Sequence, residues 1–364
     1  HDLDASRPEV DVVLRRPALD RDVRSELLPK LTAARPDPTA PLALAQAQIG
    51  AARAAARTHP FRTVWWVISG GYDGMAGLLR KLAGDGEAAE AFEREGYAVL
   101  GGFLDATEVA ELREAIDQAL TAPRAGACAR PHHTLLPLRW DDAIVDRVLR
   151  DNTRRLRLAA VTGGADVRWI SGYISIKAPH SQALSWHQDW WCWDHPVSYE
   201  PRAAQVAVLC HLTATDAERA ALRVLPGSHR ERRDLHAVLP EAHAEAASDL
   251  DPPHRALANQ PDQVTLALSR GDAVVLDYRL LQGMHPNRTG ERRDCVLLTF
   301  APSWRALPKE IRDHLIQHPA LPVEEEHAER PWLPAYDGPR GDLPLNRTAY
   351  STRIHARLEK CSNQ

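Results

Sequence analysis

The sequence predicts a mainly β domain with α-helices packed around it, a sandwich or barrel of short strands. Three observations predict it. Apolar, β-branched runs recur at fairly regular intervals from Val167 to Phe300, with Gly, Pro, Asn and Asp turn signals between them. Helical periodicity is confined to the flanks of that region. Twenty-seven prolines against four phenylalanines imply long irregular connections.

The elements follow in order. Residues 1 to about 40 are polar and proline-punctuated, with one helix expected around Arg21 to Ala33. Ala40 to Arg57 is alanine-rich and reads as a helix that Pro60 stops; Thr63 to Ser69 is a short apolar run broken by Gly70-Gly71. Met75 to Leu82 and Glu87 to Glu95 read as helices. Residues 1–90 are therefore expected to be an α-helical N-terminal extension. The main domain, 91–305, opens with helix end, glycine turn and strand in Phe92 to Leu100. Asp105 to Glu108 then starts a helix with Val109, Leu112, Ile116 and Leu120 on one stripe. Strands are expected at Val167 to Ile176, Gln205 to Leu212, Leu222 to Leu225, Val264 to Leu268, Ala273 to Tyr278 and Cys295 to Phe300. Residues 230–262 are polar, proline-rich and read as a lid insertion. The tail, 306–364, carries one helix (Pro308 to His318) and coil. No internal repeat is present.

Composition excludes several function classes. At 364 residues the chain forms one large domain with extensions, or at most two. A net charge of -4 gives no electrostatic reason to expect nucleic acid or a membrane as partner. Five widely spaced cysteines without a C-x-x-C argue against a disulfide framework or zinc-thiolate site, and favour a reducing cytoplasm. No apolar run reaches membrane-spanning length. The expected partner is a small molecule; the oligomeric state is not legible.

Trp186-His187-Gln188-Asp189 is the most informative stretch. In an extended strand, residues i and i+2 share a face, so His187 and Asp189 can grip one metal ion together. A distant histidine would complete a 2-His-1-carboxylate triad with open positions on iron(II). Five of the ten tryptophans lie between Trp169 and Trp193. Trp186, Trp190, Trp191 and Trp193, with Tyr173, are candidates to line a pocket and stack on a ring.

Five segments together resemble the phytanoyl-CoA dioxygenase (PhyH-like) family of Fe(II)/2-oxoglutarate-dependent oxygenases. They are F-E-R-E-G-Y-A-V-L-G-G-F-L (92–104), K-A-P (177–179) ahead of W-H-Q-D-W (186–190), L-R-V-L-P-G-S-H-R (222–230), G-D-A-V-V-L-D-Y-R-L-L (271–281) and N-R-T-G-E-R-R-D (287–294). The resemblance covers roughly residues 90 to 305. It implies a double-stranded β-helix, the jelly-roll or cupin-like core, with helices packed outside. It implies Fe(II), O2 and 2-oxoglutarate as cofactors, and oxidation of a small molecule by C–H hydroxylation or oxidative cyclisation. His187 and Asp189 match the first two metal ligands, and Arg293 the arginine that pairs with the distal carboxylate of 2-oxoglutarate. Lys177 matches a strand lysine near that pocket. Cys295 stands where related enzymes often place a hydroxyl. Asp189 argues against halogenation, because halogenating relatives vacate the carboxylate position.

The third ligand departs from the pattern. The family usually has histidine eleven residues before the arginine, and here that position is Gln282. His285 lies three residues on, facing the opposite side of a strict strand unless Gly283 permits a bulge. Three readings stand: His285 replaces the ligand through a bent backbone, Gln282 ligates or leaves the position to water, or the iron chemistry is lost. The corresponding functions are an oxygenase acting on a small ring-bearing metabolite of natural-product type, or a binding protein on the same fold. A non-oxidative cupin-like metalloenzyme is disfavoured by the spacing of Arg293.

Overall fold

The computed structural model describes residues 85–121, 128–130, 133–239, 254–323 and 330–335. Most of the expected N-terminal extension, the middle of the expected lid and the last part of the tail lie outside these. The described residues all belong to one compact unit.

The described strands are β1 (Tyr97–Leu100), β2 (Cys128–Arg130), β3 (His133–Leu138), β4 (Arg168–Lys177), β5 (Leu184–His187), β6 (Val206–His211), β7 (Leu222–Val224), β8 (Val264–Leu266), β9 (Ala273–Asp277), β10 (Gln282–Met284) and β11 (Arg293–Ala301). The described helices, besides a helical stretch over 85–95, are α1 (Ala106–Thr121), α2 (Ala143–Leu149), α3 (Asn152–Thr162) and α4 (Lys309–Leu315). One sheet runs β1-β9-β6-β11-β4-β3-β2 and the other β5-β10-β7-β8, with antiparallel pairing throughout. The fold is thus mixed α and β, built on two antiparallel sheets. No described helix is long and apolar enough to cross a membrane.

Alternation along the strands assigns the two faces of the larger sheet. Ala207, Leu209, Val274, Leu276 and Cys295 pack against Leu222, Val224, Leu266 and Met284 of the smaller sheet. That cluster is the filling between the sheets. The alternate residues Val206, Val208, Cys210, Val275, Val296 and Leu298 join Val109, Leu112, Ile116, Val145 and Val148 of the helices. Each such apolar side chain contributes about 1.5–3 kcal/mol through burial. The expected stripe on α1 holds for Val109, Leu112 and Ile116, whereas Leu120 is exposed.

Two glycines set the entry to this framework. Gly96 donates its N–H to Phe92 O (2.9 Å) and has φ +84°, ending the helix and turning the chain into β1. Gly271, at φ +91°, brings the chain so close to Leu104 that a Cβ would lie 2.5 Å from its carbonyl oxygen.

Candidate active site

β5 ends at His187, so Asp189 does not share a regular strand with it, contrary to the simplest reading of H-x-D. The backbone N–H groups of Asp189 and Trp190 both donate to Tyr278 O, at 3.0 and 2.8 Å. The carboxylate is therefore held by the turn after β9. His187 Nδ1 lies 2.8 Å from Ser185 O. If that nitrogen carries the proton, the Nε2 lone pair is free to ligate, the usual arrangement for a metal-binding imidazole. His187 Nε2 lies 3.8 Å from Asp189 Oδ1, and both side chains retain some solvent access.

Gln282 is the third member of the cluster. It opposes His187 in the β10–β5 pairing, and its amide nitrogen donates to Asp189 Oδ2. Between Gln282 and Met284 on β10, the partner strand runs from His187 to Leu184, so the extra residue of the bulge lies in β5. β10 itself stays in regular register with β7, and Gly283 does not redirect the chain. His285 accordingly faces away, and its Nε2 lies 2.8 Å from Thr265 Oγ1 on β8. Burial, with the charges of Arg223 and Arg288, holds its imidazole below the usual range. Only Gln282 of the two candidates meets the His187–Asp189 pair.

A pair of buried cations adjoins this cluster. Arg293 and Lys177 are cross-strand partners on β11 and β4, and both are fully buried. Arg293 Nη2 sits 2.8 Å from Met284 Sδ, two residues from Gln282 on the same face of β10. Its Nη1 reaches Ser175 O and Oγ at 3.5 and 3.4 Å, and its Nε has no hydrogen-bond partner. Lys177 Nζ donates to Gln182 O. Burial, then the Arg293 charge, lowers the Lys177 ammonium to about 7. Among the described residues no carboxylate lies within ion-pairing distance of either cation. Cys295 lies on the same face, buried, with its thiol pushed up to about 12 by burial. Tyr173 shares the Ser175–Lys177 face of β4. The Tyr278 phenol is pushed well above its usual range by burial and by the Asp189 charge.

The tryptophans do not line this space. Trp186 points away from His187 into a separate cluster with Leu225, Leu235 and Leu281. There Arg223 lies 4.8 Å over its ring and its Nε1 donates to Ala258 O. Trp190, Trp191 and Trp193 join the helix-covered core. Trp190 Nε1 donates to Ser198 Oγ, and Trp191 Nε1 donates to Gln205 Oε1 while its ring stacks on His314. The physical reason is that 188–193 is not a strand, so alternate residues have no alternating faces. Of the lining candidates, Tyr173 alone is placed between the sheets. Residues missed in the sequence include Ser175, Met284 and Tyr278. Counting back from Lys177 finds Ser175, but the others depend on register between distant strands.

The phytanoyl-CoA dioxygenase (PhyH) family model matches residues 92–295, more than half of the chain. The chain belongs to the phytanoyl-CoA dioxygenase family. Enzymes of this family are non-haem iron dioxygenases that use Fe(II), 2-oxoglutarate and O2, and the chain is an oxidoreductase of that class. A curated relative, ectoine dioxygenase of Stutzerimonas stutzeri (strain A1501), is 23% identical over 230 residues, 59% of this chain and 76% of the relative. Similar solved structures include EvdO2 from Micromonospora carbonacea var. aurantiaca, 25% identical with a TM-score of 0.45 over 61% of this chain and 94% of that one. HygX from Streptomyces hygroscopicus, solved with nickel, 2-oxoglutarate and hygromycin B, is 18% identical with a TM-score of 0.46 over 60% and 87% of the two chains.

Within the family pattern the residues here fit iron in part. One imidazole with a free ring nitrogen and one carboxylate converge, as iron(II) requires. The third donor is an amide. Rotating that amide exchanges its nitrogen for its oxygen, which turns the Asp189 hydrogen-bond donor into a neutral oxygen ligand.

Proposed function

We propose that the chain oxidises a small ring-bearing metabolite, of natural-product type, by C–H hydroxylation or oxidative cyclisation on a double-stranded β-helix. The observation that carries the reading is the pair of buried cations, Arg293 and Lys177, facing the His187–Asp189–Gln282 cluster without a carboxylate of their own. A buried charge without a partner is costly, and a dianionic cosubstrate relieves it. His187 and Asp189 would hold the iron, with the Gln282 oxygen as a weak third donor. Iron(II), when bound, supplies dioxygen activation and oxidative decarboxylation of 2-oxoglutarate. Arg293 offers a planar fork to the far carboxylate, Lys177 adds a point charge, and Cys295 lies against the same end. Tyr278 stays neutral beside Asp189, and Tyr173 with it supplies the aromatic surface that a ring-bearing substrate would meet. The intersheet packing excludes bulk water from the cosubstrate end.

Anaerobic titration with iron(II) and 2-oxoglutarate tests this, read by the charge-transfer absorbance of the chelate and then by succinate formed on admitting air. A band in the starting chain that Arg293→Leu abolishes is expected. A second reading, binding without turnover, is favoured by the Gln282–Asp189 hydrogen bond, which occupies a ligand oxygen. Under that reading the ligand binds but no succinate forms. Turnover without any need for 2-oxoglutarate would sink both.

A further inference from the structure

We infer that His211 is a third anchor of the anion pocket, a neutral N–H donor to the carboxylate that Arg293 holds. The inference rests on the 2-oxoglutarate reading above and adds to it a residue that the H-x-D and arginine motifs do not mark.

Position comes first. On β6 the even-numbered residues Val206, Val208 and Cys210 belong to the helix-covered core, and Ala207 and Leu209 fill the space between the sheets. Alternation carries the His211 side chain to the latter face, the face of Arg293 and Lys177. In the β6–β11 register His211 opposes Cys295, two residues from Arg293. Directly opposed and diagonal residues on one face are within reach of each other's long side chains.

The second observation is an unmet hydrogen-bonding demand. His211 is 1% exposed, and neither Nδ1 nor Nε2 has a hydrogen-bond partner. Buried imidazoles without any partner are rare, because the orphaned N–H forfeits its bond to water. Arg293 Nε is orphaned on the same face. Burial, then the Arg293 charge, takes the imidazole down to about 3, so the ring is uncharged and keeps one N–H. Of the side chains that register places nearest on this face, Arg293, Cys295 and Leu209 offer that N–H no strong acceptor, and Ser175 Oγ, one strand beyond Cys295, already meets His133 and Arg293. An anion entering beside the guanidinium provides a strong acceptor.

The third observation concerns chemistry. A thiol is a weak donor, and Cys295 is the residue beside Arg293 on this face of β11. The imidazole across the ladder offers the stronger donor at the same level of the pocket. A carboxylate so placed accepts from Arg293, Lys177 and His211. A ligand ending in a methyl group leaves all three unmet, which makes His211 a determinant of cosubstrate choice.

The test uses the full chain with manganese(II), titrated calorimetrically with 2-oxoglutarate and with 2-oxovalerate, which replaces the distal carboxylate by methyl. His211→Leu is expected to weaken 2-oxoglutarate about tenfold or more and to leave 2-oxovalerate unchanged. His211→Gln, which keeps a donor, is expected to recover most of the loss. The melting temperature of the ligand-free His211→Leu chain is expected to be unchanged or raised, since an unmet polar group is removed. Unchanged 2-oxoglutarate affinity in His211→Leu, with Arg293→Leu having lost it, overturns the inference and leaves the function intact. Equal weakening of both ligands, with a lowered melting temperature, assigns His211 a packing role and also overturns it. Unchanged 2-oxoglutarate affinity in Arg293→Leu overturns the functional reading, and the inference with it.

Discussion

The Gln282 amide nitrogen donates to Asp189 Oδ2 across 93 positions of sequence, joining β10 to the loop after β5. Where the resemblance to the family implies a third metal ligand, this chain has a hydrogen bond between protein groups. Gln282→His replaces an amide by an imidazole, a better donor to a divalent first-row metal. The expected outcome is metal affinity raised by about tenfold or more, about 1.4 kcal/mol. Competition between the chain and a chelator of known strength measures it. His285→Ala is expected to leave metal affinity unchanged, since His285 bonds to Thr265 instead.

On the proposed reading, Lys177 is expected to make cosubstrate binding pH-dependent. Its folded value near 7 is below the unfolded value of about 10.4. Between those values the unfolded chain holds the extra proton, so the stability of the ligand-free protein rises with pH across that window. An anion selects the protonated lysine, beside Arg293 and the neutral His211. Binding of 2-oxoglutarate should therefore weaken as pH rises above about 7 and take up a proton there. Calorimetry in buffers of different ionisation enthalpy counts that proton. Uptake should be near zero at about pH 6, should grow towards one by about pH 8.5, and should vanish in Lys177→Met.

Trp186 packs on the face of β5 opposite His187, in the cluster with Leu225, Leu235 and Leu281. Trp186→Ala removes the ring beneath Arg223 and the bond to Ala258 O. A loss of about 3–5 kcal/mol is expected from chemical denaturation. Trp186→Phe keeps most of the packing, and its 2-oxoglutarate affinity should match that of the starting chain.

Asp277 and Arg279 form a buried ion pair at 2.6 Å, and Arg279 also donates to Ser198 O and Glu200 O. The charge of Arg279 and its hydrogen bonds outweigh burial and hold the Asp277 carboxyl below its usual value. The stabilisation is present above the ordinary carboxylate pKa and is lost as pH falls through the lower folded value. Asp277→Asn leaves the guanidinium without its counter-charge and should cost about 3–5 kcal/mol at neutral pH. Acid unfolding curves should show a correspondingly smaller pH dependence in the variant.

Much of the fold was legible because strand signals are local. The runs from Val167 to Ile176 and Cys295 to Phe300 carry their own periodicity, and β4 and β11 cover them nearly end to end. β3 and the three-residue β10 were not legible, since His133–Leu138 lacks clean alternation and Gln282–Met284 is too short to show any. The meeting of His187 with Gln282 followed from motif spacing. The fate of the tryptophans did not, because it turns on β5 stopping at His187 and on Tyr278 O capturing the N–H groups of Asp189 and Trp190. His211 was invisible for a related reason: its importance lies in a register with Cys295, and register is a property of the assembled sheet.

If Arg293 and Lys177 hold 2-oxoglutarate as proposed, the lifetime of the chain becomes coupled to the supply of that ligand. On the proposed reading the ligand-free fold bears the cost of an unneutralised Arg293 guanidinium and of a Lys177 ammonium that burial has lowered to about 7, and 2-oxoglutarate binds only the native state. Such a ligand at a hundredfold excess over its Kd adds about 2.7 kcal/mol of stability. Proteases act on the unfolded fraction, so starvation for the cosubstrate raises the clearance rate of the chain. Its abundance then tracks the 2-oxo acid that it consumes, without any dedicated sensor.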